Sequence, residues 1–84
     1  MYTVFISESA GKEISRLPKA MIHRVLGKIE SLSGEPRPSG CKKLAGFKDL
    51  WRVRIGNYRI IYRIEDEIQV LTVNKVSHRK DAYK

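Results

Sequence analysis

The sequence predicts a small α+β fold, in which two N-terminal helices pack on one face of a small antiparallel sheet and the elements run β-α-α-β-β-β. Three observations carry that prediction. Met21, Ile22, Val25, Leu26, Ile29 and Leu32 recur at the spacing of a helix with one apolar stripe. Trp51 to Arg63, WRVRIGNYRIIYR, alternates with the period of a strand and breaks at Gly56-Asn57, a pair suited to a tight hairpin turn. Ile68 to Val76, IQVLTVNKV, is rich in β-branched residues and follows the acidic run Glu65-Asp66-Glu67. With 84 residues, no repeat and no long linker, the chain has room for one domain, residues 1–84, and one modest core.

Taken in order, Tyr2 to Ile6 reads as a first strand, and Ser7 as the N-cap of a short helix whose apolar positions are Ala10, Ile14 and Leu17. Pro18 ends that helix and serves as the opening residue of the second, where its missing amide proton is not needed. His23 falls outside the second helix's stripe and is read as a surface residue. Ser33 to Gly40, SGEPRPSG, is a loop. Beyond it, Leu44, Phe47 and Leu50 can anchor the KKLAGFKDL segment, while Lys42, Lys43 and Lys48 face outward as surface charge or phosphate contacts.

Alternation then assigns the faces. A two-residue turn at Gly56-Asn57 pairs Ile55 with Tyr58 and Arg54 with Arg59, which sets two like charges directly opposite at a cost of a few tenths to about 1 kcal/mol. A three-residue turn at 65–67 would keep Ile68, Val70 and Thr72 beside Ile64, Tyr62 and Ile60 on the helix-covered face. The other face then carries Arg52, Arg54, Arg59, Arg63 and Lys75, interleaved with Ile61, Leu71 and Val73. That mixture is too apolar for an ordinary solvated surface and too basic for a buried one, so it predicts a partner. His78, Arg79 and Tyr83 follow the last strand, near the rim of this face.

Lysine and arginine number 17 against 9 acidic residues, a formal charge of +8 that favours nucleic acid, an anionic membrane or an acidic protein. The single cysteine, Cys41, permits no internal disulfide and no cysteine metal site, and is read as a small, partly buried hydrophobe. No basic leader with a long apolar run begins the chain and no segment reaches the apolar length of a membrane span, so the expectation is a cytoplasmic protein without membrane association. Motifs for a P-loop, a dinucleotide fold, a zinc site or a nucleophilic triad are absent from the sequence. What remains is a cluster of arginines with one histidine and one tyrosine. Guanidinium groups bind phosphate oxygens in a fork and stabilise charge that builds in a phosphoryl transition state. RNA cleavage by the neighbouring 2′-hydroxyl asks for orientation, charge neutralisation and help to the leaving oxygen, and needs neither metal nor cofactor. A plain RNA-binding module presents the same basic face with an aromatic residue, so the residues alone leave both readings open.

The segments KLAG before the hairpin, GNYRIIY within it and HRKDAY at the end closely resemble the RelE/ParE superfamily of toxins from toxin-antitoxin systems, over nearly the whole chain. The resemblance, strongest to the RelE-like branch, implies a metal-independent endoribonuclease that cuts messenger RNA in the ribosomal A site. It further implies neutralisation by a cognate antitoxin, with a toxin-antitoxin heterotetramer as one assembly. Carried over by position, it implies catalytic roles for Arg52, Arg54, Arg59, Arg79 and Tyr83, with His78 as a further candidate for proton transfer. Arg54 and Arg59 would hold the scissile phosphate, Arg79 would stabilise the leaving side, and Tyr83 would stack or orient the nucleotide. Lys42, Lys43, Arg63 and Lys75 are the expected RNA contacts around them. Some RelE-like toxins carry lysines where Arg52 and Arg54 stand, which leaves the general base unassigned. A ParE-like poison of DNA gyrase is the alternative within the superfamily.

Overall fold

The computed structural model describes residues 1–78. Its strands are β1 (Thr3–Ile6), β2 (Lys42–Lys43), β3 (Leu50–Ile55), β4 (Tyr58–Glu65) and β5 (Val70–His78), with helices α1 (Glu8–Ser15) and α2 (Lys19–Ser31) between β1 and β2. The five strands form one sheet in the order β1-β5-β4-β3-β2. The order of elements is as predicted, with β2 as an added two-residue strand beside β3. The sheet itself is mixed, because β1 pairs parallel to β5 while the other neighbours are antiparallel. Connectivity explains this. The helical crossover returns the chain so that β3 runs in the direction of β1, and two hairpin reversals later β5 shares that direction again.

Local chemistry sets the helix ends. Ser7 caps α1, its Oγ accepting from the Ala10 amide at 3.1 Å, and Glu8 sits in the positive first turn. Pro18 stands at the N-cap of α2, one place earlier than predicted, where its carbonyl accepts from the amides of Met21 and Ile22. Val25, Ile29 and Leu32 are buried, but Leu26 is 40% exposed, so the apolar stripe is narrower than the sequence suggested. Phe47, at 58% exposure, anchors nothing. His23 is exposed and Cys41 half-buried, as expected.

The helices and the sheet close one core of Ala10, Ile14, Val25, Ile29 and Leu32 against Val53, Ile60, Tyr62, Ile64, Leu71, Val73 and Val76. Tyr62 is fully buried and donates its hydroxyl to the Pro36 carbonyl at 2.8 Å, and its burial raises the phenol's pKa. The first hairpin has the predicted register, Arg54 opposite Arg59 and Ile55 opposite Tyr58. Of its two turn residues only Gly56 takes a positive φ, +58°, and a β-carbon there would stand 3.3 Å from the end of Met21.

The second hairpin departs from prediction. Its turn has four residues, Asp66 to Gln69, closed by the pair Glu65–Val70, with Gln69 at φ +53° donating its amide to the Asp66 carbonyl at 3.2 Å. One extra turn residue moves every following side chain to the other face. Leu71 and Val73 therefore enter the core, Val70 and Thr72 lie opposite Glu65 and Arg63, and Ile68 is 64% exposed outside the strand. A bulge at Asn74 then reverses the alternation again, so that Lys75 and Ser77 do lie on the outer face, opposite Ile61 and Arg59. The two departures cancel for the end of the strand but not for its middle.

This turn is fastened from outside. Asp66 accepts a bidentate ion pair from Arg37, at 3.2 and 2.8 Å, and a hydrogen bond from the Tyr2 hydroxyl, while the Arg37 guanidinium lies 4.8 Å from the centre of the Trp51 ring. The Arg37 and Tyr2 hydrogen bonds hold the Asp66 carboxyl below its usual range. A carboxyl depressed in the folded state stabilises above its unfolded pKa of about 4 and loses that contribution as pH falls through the folded value. Asp66→Asn is accordingly expected to lower the thermal midpoint at pH 7, with the gap from wild type closing progressively below about pH 4 in a pH series of melts.

Candidate functional site

The face away from the helices carries the basic groups in rows across the strands. One row joins Arg54 on β3, Arg59 on β4 and Ser77 on β5. The next joins Lys42 on β2, Arg52, Ile61 and Lys75. Adjacent strands stand about 5 Å apart and successive same-face residues about 7 Å apart, so Arg52, Arg54 and Arg59 fit within the span of a dinucleotide. Their exposure is graded: Arg54 is exposed, Arg52 half-buried, and Arg59 only 9% exposed, which makes Arg59 the floor of the site. A buried guanidinium on a central strand is held in a fixed direction by its neighbours, as a phosphate fork requires.

Other candidates fall elsewhere. Lys75 is engaged by Glu13 of α1, whose Oε2 accepts from Nζ at 3.2 Å while Oε1 accepts from the Val76 amide at 2.9 Å. Glu13 thereby takes over the edge of β5 where β1 has ended, and Lys75 supplies the site with an already neutralised charge. Lys43 pairs with Trp51 and so belongs to the opposite side of the sheet from Lys42. Arg63 shares the basic face but lies four residues along β4 from Arg59, about 13 Å away. His78 lies in register with Tyr58, its ring edge-on at 5.4 Å between centroids, at the turn end of the sheet and on the side of Val76 rather than of Arg59. Arg79 and Tyr83 lie outside the described residues. Of the apolar residues expected among the arginines, Leu71 and Val73 are core and Ile61 alone keeps its place.

Among the described residues no three His, Cys, Asp or Glu side chains gather where a metal ion could be held. A shallow depression lined by Lys48, Asp49, Glu65, Asp66, Glu67 and Ile68 sits at the opposite end of β4 from Arg59, and its acidic rim does not suit an anion. The basic face can therefore bind a polyanion on its surface, with Arg59 as the most enclosed cation among the described residues.

Comparison with known proteins decides the family. The profile of the ParE toxin of the parDE type II toxin-antitoxin system matches residues 4–83. The chain belongs to the ParE toxin family. Relatives of this toxin bear RelE names. It is 31% identical to Toxin RelG of Mycobacterium tuberculosis, over 99% of this chain and 97% of the relative. The archaeal RelE-RelB complex from Pyrococcus horikoshii contains a chain of the same fold, with a TM-score of 0.84, 35% identity, and coverage of 96% of this chain and 98% of that one. The isolated Escherichia coli RelE toxin superposes with a TM-score of 0.80 at 26% identity, over 93% of this chain and 84% of that one. No helix among the toxin's described residues is long and apolar enough to cross a membrane.

Sequence reasoning missed two residues of the site. Ser77 enters the Arg54–Arg59 row only because of the bulge at Asn74, and an Asn within a strand is a weak signal for one. Glu13 was hidden by distance in sequence from Lys75, 62 residues on, although its place one helical turn from the buried Ala10 put it near the core face.

Proposed function

We propose that this toxin is an endoribonuclease that cuts messenger RNA in the ribosomal A site through attack of the 2′-hydroxyl on the adjacent phosphate. The observation that carries the reading is the cross-strand row of Arg54 and Arg59 on a basic sheet face, with Arg59 buried at its floor. The RelE names of its relatives favour the same activity. In this reading Arg59 and Arg54 fork the non-bridging oxygens, and Arg52 and Lys42 hold the flanking backbone. The 2′-oxygen forms a bond to phosphorus as the 5′-oxygen leaves, the attacking hydroxyl's proton passes to a base, and a proton is returned to the leaving oxygen. His78, the sequence candidate for proton transfer, lies on the Val76 side of the sheet, so this arrangement leaves the proton acceptor unassigned, while Arg79 and Tyr83 are assigned from sequence to the leaving group and the nucleotide. Each step asks for positioning and charge neutralisation, which these side chains supply without a metal.

A cognate antitoxin is the proposed partner in a shared cytoplasm, as solved relatives are RelE-RelB complexes. An acidic amphipathic segment laid across Ile61 and the arginines would block RNA and relieve the repulsion between Arg54 and Arg59. A toxin-antitoxin heterotetramer is one assembly in which this would occur. The test maps cleavage on messages with and without programmed ribosomes. Cuts confined to the A-site codon, suppressed by co-purified antitoxin, are expected, with binding that falls steeply as salt rises. The ParE name of the matching family supports a second reading, poisoning of DNA gyrase. Intact message together with trapped gyrase-DNA complexes would establish that reading instead.

A further inference from the structure

We infer that the Ser77 hydroxyl is a third contact to the scissile phosphate, donating a hydrogen bond to a non-bridging oxygen held by Arg59. The inference deepens the ribonuclease reading and rests on it. Ser77 stands directly opposite Arg59, as Arg54 does from the other side, so three polar side chains cross three adjacent strands in one row. The serine is 9% exposed, and its Oγ has no hydrogen-bond partner among the described residues. The two half-buried serines, Ser7 and Ser33, are both hydrogen-bonded. Ser15, Ser31 and Ser33 each donate to a backbone carbonyl, at 2.7, 2.6 and 2.7 Å, and Ser7 caps a helix. A buried hydroxyl without a partner is unfavourable, and a buried strand position would gain from an apolar β-branched residue in its place. Retention of a polar group there is explained if a ligand completes it.

The chemistry of the row says which ligand. Arg54 and Arg59 already repel each other across the β3–β4 pair, and a further cation on β5 would add to that repulsion. A hydroxyl contributes a donor without a charge. With Ser77 on one side of Arg59 and Arg54 on the other, a phosphate above Arg59 receives donors from three directions. The added negative charge of the pentacoordinate transition state strengthens all three, so the contact acts mainly on the chemical step.

The test compares Ser77→Ala and Ser77→Thr in the full-length toxin by single-turnover cleavage on programmed ribosomes and by thermal unfolding. Ser77→Ala is expected to cleave roughly 10- to 100-fold more slowly, the size of one hydrogen bond to a charged group, while melting at the same or a higher temperature. Ser77→Thr, which keeps the hydroxyl on a strand-favouring residue, is expected to recover most of the rate. Unchanged cleavage by Ser77→Ala overturns the inference. So does a slow Ser77→Ala that melts lower and is not rescued by Ser77→Thr, since that pattern marks a structural serine. If wild type cuts no RNA, the ribonuclease reading fails separately, and the contact is then read from binding of an oligoribonucleotide with a 2′-deoxy substitution. Weaker binding by Ser77→Ala sustains the phosphate contact, and equal binding removes it.

Discussion

Arg59→Ala is expected to lower single-turnover cleavage of ribosome-bound message by about 10³-fold, the upper range for removing one preorganised donor from a developing oxyanion. The size follows from position. Arg59 is the cation of the row with 9% exposure, on a strand paired on both sides, so its guanidinium needs little reorganisation when charge appears on the phosphate. Arg59→Lys keeps the charge but loses the fork and should fall between the two. The decisive quantity is the split between binding and chemistry. A loss mainly in the single-turnover rate, with message affinity reduced far less, identifies a group that acts in the transition state. Equal losses in both would make the protein an RNA-binding module.

The same row explains why so much charge is tolerated in so small a sheet. Like charges directly opposite, as Arg54 and Arg59 stand, cost a sheet a few tenths to about 1 kcal/mol. Any anion that bridges them, whether message or the acidic segment of the proposed antitoxin, removes that penalty on binding and raises the apparent stability of the complex. Arg54 is exposed, so its side chain can swing toward a ligand, whereas Arg59 is fixed. In the proposed reaction, one exposed and one enclosed guanidinium would suit gripping a phosphate and then following its change of shape.

How much of this was legible in sequence depends on how local each determinant is. The Ser7 cap, the Val25–Ile29–Leu32 stripe and the Gly56-Asn57 turn are set by residues a few positions apart, and spacing alone reveals them. The opposition of Arg54 and Arg59 follows from that turn by counting. The parallel pairing of β1 with β5 joins residues about 67 positions apart, Thr3 with Val70, and no short-range pattern encodes it. The turn after β4 was misread because Ile68 looks like the start of a strand and because Gln69 takes a positive φ without the Gly or Asn that announces one. The face of Leu71 and Val73 was wrong for that reason, and the place of Ser77 depended on a bulge with no clear sequence mark. Thus the arginines of the site could be read from alternation, while the serine beside them could not.

That register carries the second large prediction. Leu71 is fully buried opposite Ile64, and Val4 of β1 is its partner on the other side. Leu71→Ala removes a packed side chain from the middle of the sheet and is expected to cost about 2–5 kcal/mol of folding stability. Val70, one residue earlier, is half-buried on the opposite face beside Glu65, and Val70→Ala should cost well under half as much. Had the turn been three residues long, the order would be reversed: Val70→Ala would open the core, and Leu71→Ala would weaken only the binding of a partner. Denaturant titrations of the two variants, alone and without antitoxin, separate the cases. A large drop for Leu71→Ala in the isolated toxin establishes that this leucine holds the sheet under the arginines. It follows that Ile61 is the apolar residue between Arg52 and Lys75 left for a partner to cover, so Ile61→Lys should weaken antitoxin capture while leaving the melting temperature within a few degrees of wild type.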